Sequence, residues 1–141
     1  MLKRSIVLAI AALVVGGAAL AQDPKTTPPN PPLSPSPIKR TPVGKVEVPN
    51  SNTVVITGMV ELTPGFKAGR HFHPGVVDAV VLDGEFWLAI DGQPEKTYTA
   101  GQSFEVPNRA IHNEGAVGDK PAKLIAVYVV DKDQPLVTPV K

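Results

Sequence analysis

From Val43 onward the chain is cut into short β-type runs by glycine and proline turn signals, and no stretch repeats with a helical period. Runs over 54–57 and 59–62 end at Pro64-Gly65, 76–82 ends at Asp83-Gly84, and 85–90 ends at Asp91-Gly92. Runs over 97–99 and 103–106 are closed by Gly101 and Pro107-Asn108, and 123–130 is the most apolar and β-branched of all. Strands this short, with turns every eight to ten residues or so, predict an all-β sandwich or barrel. Asp-Gly pairs favour the positive backbone angles of tight hairpins, so both pairs read as hairpin turns.

The first 43 residues are of another kind. Residues 1–21 read as a secretory signal: Lys3 and Arg4 lead, an uncharged apolar run covers 5–20, and Ala19-Leu20-Ala21 offers a cleavage site. The alternative is an uncleaved anchor, but the run is rich in Ala and Gly and short of the roughly 20 residues that a spanning helix needs. A lipid anchor would require a cysteine, and there is none. There is no twin-arginine pair either. Residues 22–43 carry eight prolines, Pro24 through Pro42, and read as an extended, disordered linker. Its role is a spacer, with a docking segment for a polyproline reader as the alternative. The domain proper is then 44–141, and its destination periplasmic or secreted.

Charge excludes some partners. Loss of Lys3 and Arg4 from the 14 basic residues leaves the mature chain about neutral beside 13 acidic ones. Nucleic acid, which calls for a clustered basic face, is not expected, nor is a membrane after cleavage. With no disulfide available, stability must come from burial and sheet hydrogen bonds.

The sequence has three histidines. His71 and His73 close an extended run, where side chains two apart share a face, so both imidazoles can meet one ion at about 2.1 Å. His112 is the only other histidine. A His-x-His pair alone is as compatible with surface or core histidines as with a metal site.

The framing resembles the cupins, small jelly-roll β-barrels. Their first motif runs Gly, five residues, His-x-His, then Glu and a closing Gly; here Gly65, His71, His73 and Gly84 match. Their second runs Gly, five residues, Pro-x-Gly, two residues, His, three residues, Asn; here Gly101, Pro107 and His112 match. The resemblance covers roughly residues 45–135. It implies a cupin barrel with one divalent transition metal (Fe, Zn, Cu, Mn or Ni) on His71, His73 and His112. It also implies a small-molecule ligand or substrate, and a homodimer. The departures are specific: the family's Glu falls on Val77, its second-motif Gly on Arg109 and its Asn on Ala116. Asp78 becomes a fourth ligand only if the Pro74-Gly75 turn absorbs a one-residue shift, which would otherwise turn its side chain to the opposite face.

Three residues are candidates for substrate contact. Arg70 and Arg109 flank the histidines and could clamp a carboxylate, the bland alternative being solvation. Trp87 and Phe86 face opposite ways, so one lines the barrel. No Ser/His/Asp hydrolase pattern, phosphate loop or CxxC occurs, and no catalytic residue can be named. Two functions stay open: a three-histidine dioxygenase or isomerase acting on a small molecule, and a non-catalytic binding or sensing domain.

Overall fold

A computed structural model describes residues 37–141; the signal read over 1–21 and most of the linker lie outside the described residues. Ten strands follow one another among the described residues: β1 Ile38–Glu47, β2 Thr53–Leu62, β3 His71–Phe72, β4 Gly75–Asp83, β5 Glu85–Ile90, β6 Lys96–Thr99, β7 Ser103–Val106, β8 His112–Ala116, β9 Ala122–Asp131 and β10 Thr138–Pro139. They form two five-stranded sheets, ordered β1-β2-β9-β4-β7 and β10-β3-β8-β5-β6, as in the expected jelly roll.

The core lies between the inner faces of the two sheets. Along β4 and β9 buried and exposed residues alternate, so that Val77, Ala79 and Val81 face Leu124, Ala126 and Tyr128 inward. This is the period-2 pattern of a half-buried strand. The second sheet contributes Phe86 and Leu88, and Phe86 stacks on Phe104 with ring centroids 4.8 Å apart.

Two expectations need correction. The linker was read through residue 43, but strand β1 begins at Ile38 and pairs with β2 along its length. The prolines hid it. Pro42 sits beside a register shift at the sheet edge, where a missing backbone donor is tolerated. The Asp83-Gly84 turn is not a hairpin either, because β4 pairs with β9 and β7 while β5 pairs with β8 and β6. Gly84, at a φ of 76°, instead carries the chain round a corner from one sheet to the other. Asp91-Gly92 does join a hairpin, β5 to β6.

Strand β8 had no signal of its own. His112-Asn113-Glu114-Gly115-Ala116 lacks branched residues, and its conformation comes from pairing with β5 on one side and β3 on the other. Gly115 is required there. A Cβ on it would lie 2.2 Å from the Phe66 carbonyl oxygen and 2.5 Å from the indole nitrogen of Trp87.

Candidate metal centre

The three histidines come together through a strand pairing. His71 on β3 is the direct partner of His112 on β8, and their ring centroids lie 4.2 Å apart. His73, just beyond β3, brings its ring to 5.1 Å from each of the others. One ring nitrogen from each residue lies within 4.8 Å of the other two, and all three side chains are buried.

Backbone carbonyls decide which nitrogen is offered. Nδ1 of His71 donates to the Gly69 oxygen at 2.8 Å, that of His73 to the Leu136 oxygen at 2.7 Å, and that of His112 to the Ala110 oxygen at 2.9 Å. A carbonyl oxygen only accepts, so the proton is on Nδ1 and each Nε2 keeps its lone pair. The Nε2 atoms of His71 and His112 are buried with no hydrogen-bond partner. Burial holds His73 and His112 down at about 4, against the raising effect of their carbonyl partners and helped by the neighbouring imidazoles. Both are therefore neutral at pH 7. Orphaned buried acceptors are uncommon in folded proteins, and lone pairs that converge are compensated by a cation between them. The donor set fits a divalent transition metal, and imidazole alone does not choose among them.

Beside the histidines a narrow cavity runs into the barrel. His73, His112, Glu114 and Tyr128 form its polar end, and residues such as Val77, Phe86, Phe104 and Leu124 its apolar walls. About 20 Å³ of it can hold the centre of a water molecule, which is room for one or two waters.

None of the three expected substrate contacts lines this cavity. The Arg70 guanidinium donates to Asp91 and is half exposed. Arg109 donates to Gln134 at 2.7 Å and lies over the Phe72 ring, outside the barrel. Trp87 is on the outer face of β5, packed over Gly115, and the inward aromatic is Phe86. Alternation along the strand turns Trp87 outward, an ion pair holds Arg70 at Asp91, and a hydrogen bond to Gln134 holds Arg109 away.

Comparison with known proteins agrees with the geometry. Residues 58–128 match the family model described as a cupin domain. The chain belongs to the cupin family. No curated protein matches the sequence. Among solved structures, a cupin-like protein from Thermotoga maritima is similar at 21% identity and a TM-score of 0.62, covering 73% of this cupin and 75% of that chain. An oxalate oxidase is similar at 19% identity and a TM-score of 0.58, over 77% of this cupin and 57% of that chain. The oxalate decarboxylase of Bacillus subtilis, studied for its Mn(II) centres, is similar at 21% identity and a TM-score of 0.54, over 61% of this cupin and 24% of that chain. At these identities the likeness is one of fold.

In this cupin the carboxylate considered as a fourth ligand is not among the converging side chains. Asp78, the candidate carboxylate, is exposed on the outer face of β4 and takes no part in the cluster; the Pro74-Gly75 turn does not absorb the shift. Val77 faces inward at the family's Glu position and gives an apolar wall. A different carboxylate, that of Glu114, lines the polar end of the cavity beside His112. It stands two residues after His112 on β8, so it shares that face, and its Oε2 lies 3.9 Å from His112 Nε2. Burial raises the Glu114 carboxyl, while His71 and Arg40 act against the rise. Glu114 carries no signal in the sequence alone; the two-residue spacing that picks out His71 and His73 finds it only once β8 is known to be a strand.

Proposed function

We propose that this cupin is a metal-dependent enzyme acting on a small molecule, in the manner of a dioxygenase or isomerase, with His71, His73 and His112 as the ligands. The observation that carries this reading is the set of three converging imidazoles, each with Nδ1 committed to a backbone carbonyl, and with the Nε2 atoms of His71 and His112 buried without a partner. A divalent ion held there would supply Lewis acidity, undiminished by charge from the neutral ligands. The chain's own contribution is the polar end of the cavity. Glu114 can accept a proton from a molecule at the centre, and the Tyr128 ring, 5.2 Å from that of His73, closes the opposite wall. A carboxylate beside the histidines is what a purely structural site would not need.

The test is elemental analysis of the purified protein, followed by anaerobic reconstitution with iron and measurement of oxygen uptake over a panel of small molecules. Turnover that disappears in Glu114→Gln with metal content unchanged supports the reading. A protein that takes up no transition metal under any condition overturns it. A non-catalytic binding or sensing role is favoured by one feature, the narrowness of the cavity, and is the outcome if metal binds and nothing turns over.

We also propose a homodimer. Val46, Val55, Val129 and Val76 are direct neighbours across β1, β2, β9 and β4, and three of them are 42–65% exposed on the outer face of that sheet. Such a row is a surface that a second copy can cover. Light scattering tests it, and a monomer at micromolar concentration rules it out. Export by way of residues 1–21 is part of the same proposal, tested by fractionation and N-terminal sequencing of the mature protein.

A further inference from the structure

Between the β2–β3 loop and β8 the two stretches of chain fall out of step. Lys67 opposes Gly115, and His71 opposes His112. The chain takes four steps from Lys67 to His71 and three from Gly115 to His112, so one extra residue is fitted in just ahead of the metal centre. Such a bulge leaves backbone groups without ladder partners and re-aims the side chains beyond it. Gly69 supplies the conformation. Its φ is 80°, and nothing lies within 4 Å of where a Cβ would be, so glycine serves the backbone angle there and not a tight fit.

The side chain of Asn113, half-buried on β8, closes the gap. Its Oδ1 accepts from Gly69 N at 2.9 Å and from Glu114 N at 2.9 Å, while Ala68 N donates to the Glu114 carbonyl. Both partners of the side chain are N–H donors, so the amide oxygen faces them and both its lone pairs are used. Gly69 in turn gives its carbonyl to His71 Nδ1 at 2.8 Å. One oxygen thus holds the residue that orients His71 and also the backbone of Glu114, whose side chain lines the cavity.

We propose that Asn113 is a positioning residue of the metal centre. By capping the Gly69 bulge it fixes the carbonyl that keeps the His71 proton on Nδ1, which leaves the Nε2 lone pair for an ion. This deepens the metal-dependent reading above and rests on it. An uncapped bulge is free to slip, and a slip of one residue turns His71 to the opposite face of the sheet. The function resides in the amide oxygen and not in the amide nitrogen.

The experiment compares full-length wild type with Asn113→Asp, Asn113→Ala and Asn113→Leu. Aspartate keeps the accepting oxygen; the other two remove it, with different bulk. Two quantities are read: the tautomer of each imidazole, by NMR of the ring nitrogens in the metal-free protein, and cobalt(II) affinity, by competition with a chelating dye. In Asn113→Ala and Asn113→Leu, His71 should lose its single Nδ1–H tautomer and cobalt should bind about 10-fold more weakly, the effect of one hydrogen bond partly open to water. His73 and His112, tethered to Leu136 and Ala110, should keep theirs. Asn113→Asp should match wild type in both readouts. A His71 tautomer unchanged in the Ala and Leu variants overturns the assignment, whatever happens to cobalt affinity or melting temperature. An Asp variant that falls as far as Ala overturns it too, as does loss of the tautomer at all three histidines, which is general loosening. Should Asn113→Leu fail to fold, Asn113→Ala carries the comparison. Wild type that takes up no cobalt removes the metal reading, and the metal-free imidazole spectra still decide whether Asn113 positions His71.

Discussion

His71 and His112 are direct cross-strand partners, and that single pairing of β3 with β8 brings distant parts of the chain to a ring separation of 4.2 Å. Replacing either imidazole should remove one of three converging donors. His112→Ala is expected to weaken divalent-metal affinity on the order of 100-fold or more, read by elemental analysis and competition with a chelating dye. Asp78→Asn, on the outer face of β4, should leave metal content at the wild-type level. Loss of metal in the Asp78 variant would contradict the facing described above.

The metal-free protein should lose stability as the pH falls from about 6.5 towards about 4. His73 and His112 have their pKa values lowered from 6.5 to about 4 in the folded state, chiefly by burial. Between those values the unfolded chain binds protons that the folded one refuses, so acid favours unfolding. The two residues together make the loss a few kcal/mol in order of magnitude, and it levels off below about pH 4. Urea titrations of the metal-free protein at several pH values check this. A flat stability profile between pH 6.5 and 4.5 would show that the imidazoles are not held neutral.

The segment after β9 should prove necessary for metal binding. Leu136 gives its carbonyl to His73, and β10 pairs with β3 at Phe72 and His71. Deleting residues 135–141 should therefore weaken metal affinity by about 10- to 100-fold, the effect seen when a ligand loses its orienting partner. Isothermal titration with zinc measures it. Unchanged affinity would mean that His73 is held by its packing alone.

Gly115→Ala should destabilise the barrel by about 1–3 kcal/mol, because the added methyl meets the Phe66 backbone, which has little room to give. Thermal melts detect this. Trp87 fluorescence should shift in the same variant, since the indole covers that position.

The fold was legible wherever the chain carries its own local signal. Runs of Val and Ile between Gly and Pro marked β2, β4, β5, β7 and β9 to within a few residues, though β2 was read as two pieces. The centre was legible because His71 and His73 obey the two-residue rule and the third histidine had no competitor. What escaped depended on partners. β8 is a strand only because β3 and β5 flank it, so Glu114 went unassigned. β1 is a strand in spite of its prolines, so Arg40 was left in the linker. Asp78 shows the opposite error: one residue of register separates a ligand from a solvent-facing side chain.

The tether from Leu136 to His73 spans 63 positions of the chain, and it is made by a segment that follows the last long strand. A nascent chain lacking that segment would present the histidines without their final brace. Ion capture would then come late in maturation, as a seal on a finished barrel more than a seed for it. Time-resolved metal uptake during refolding should lag behind the burial of Trp87.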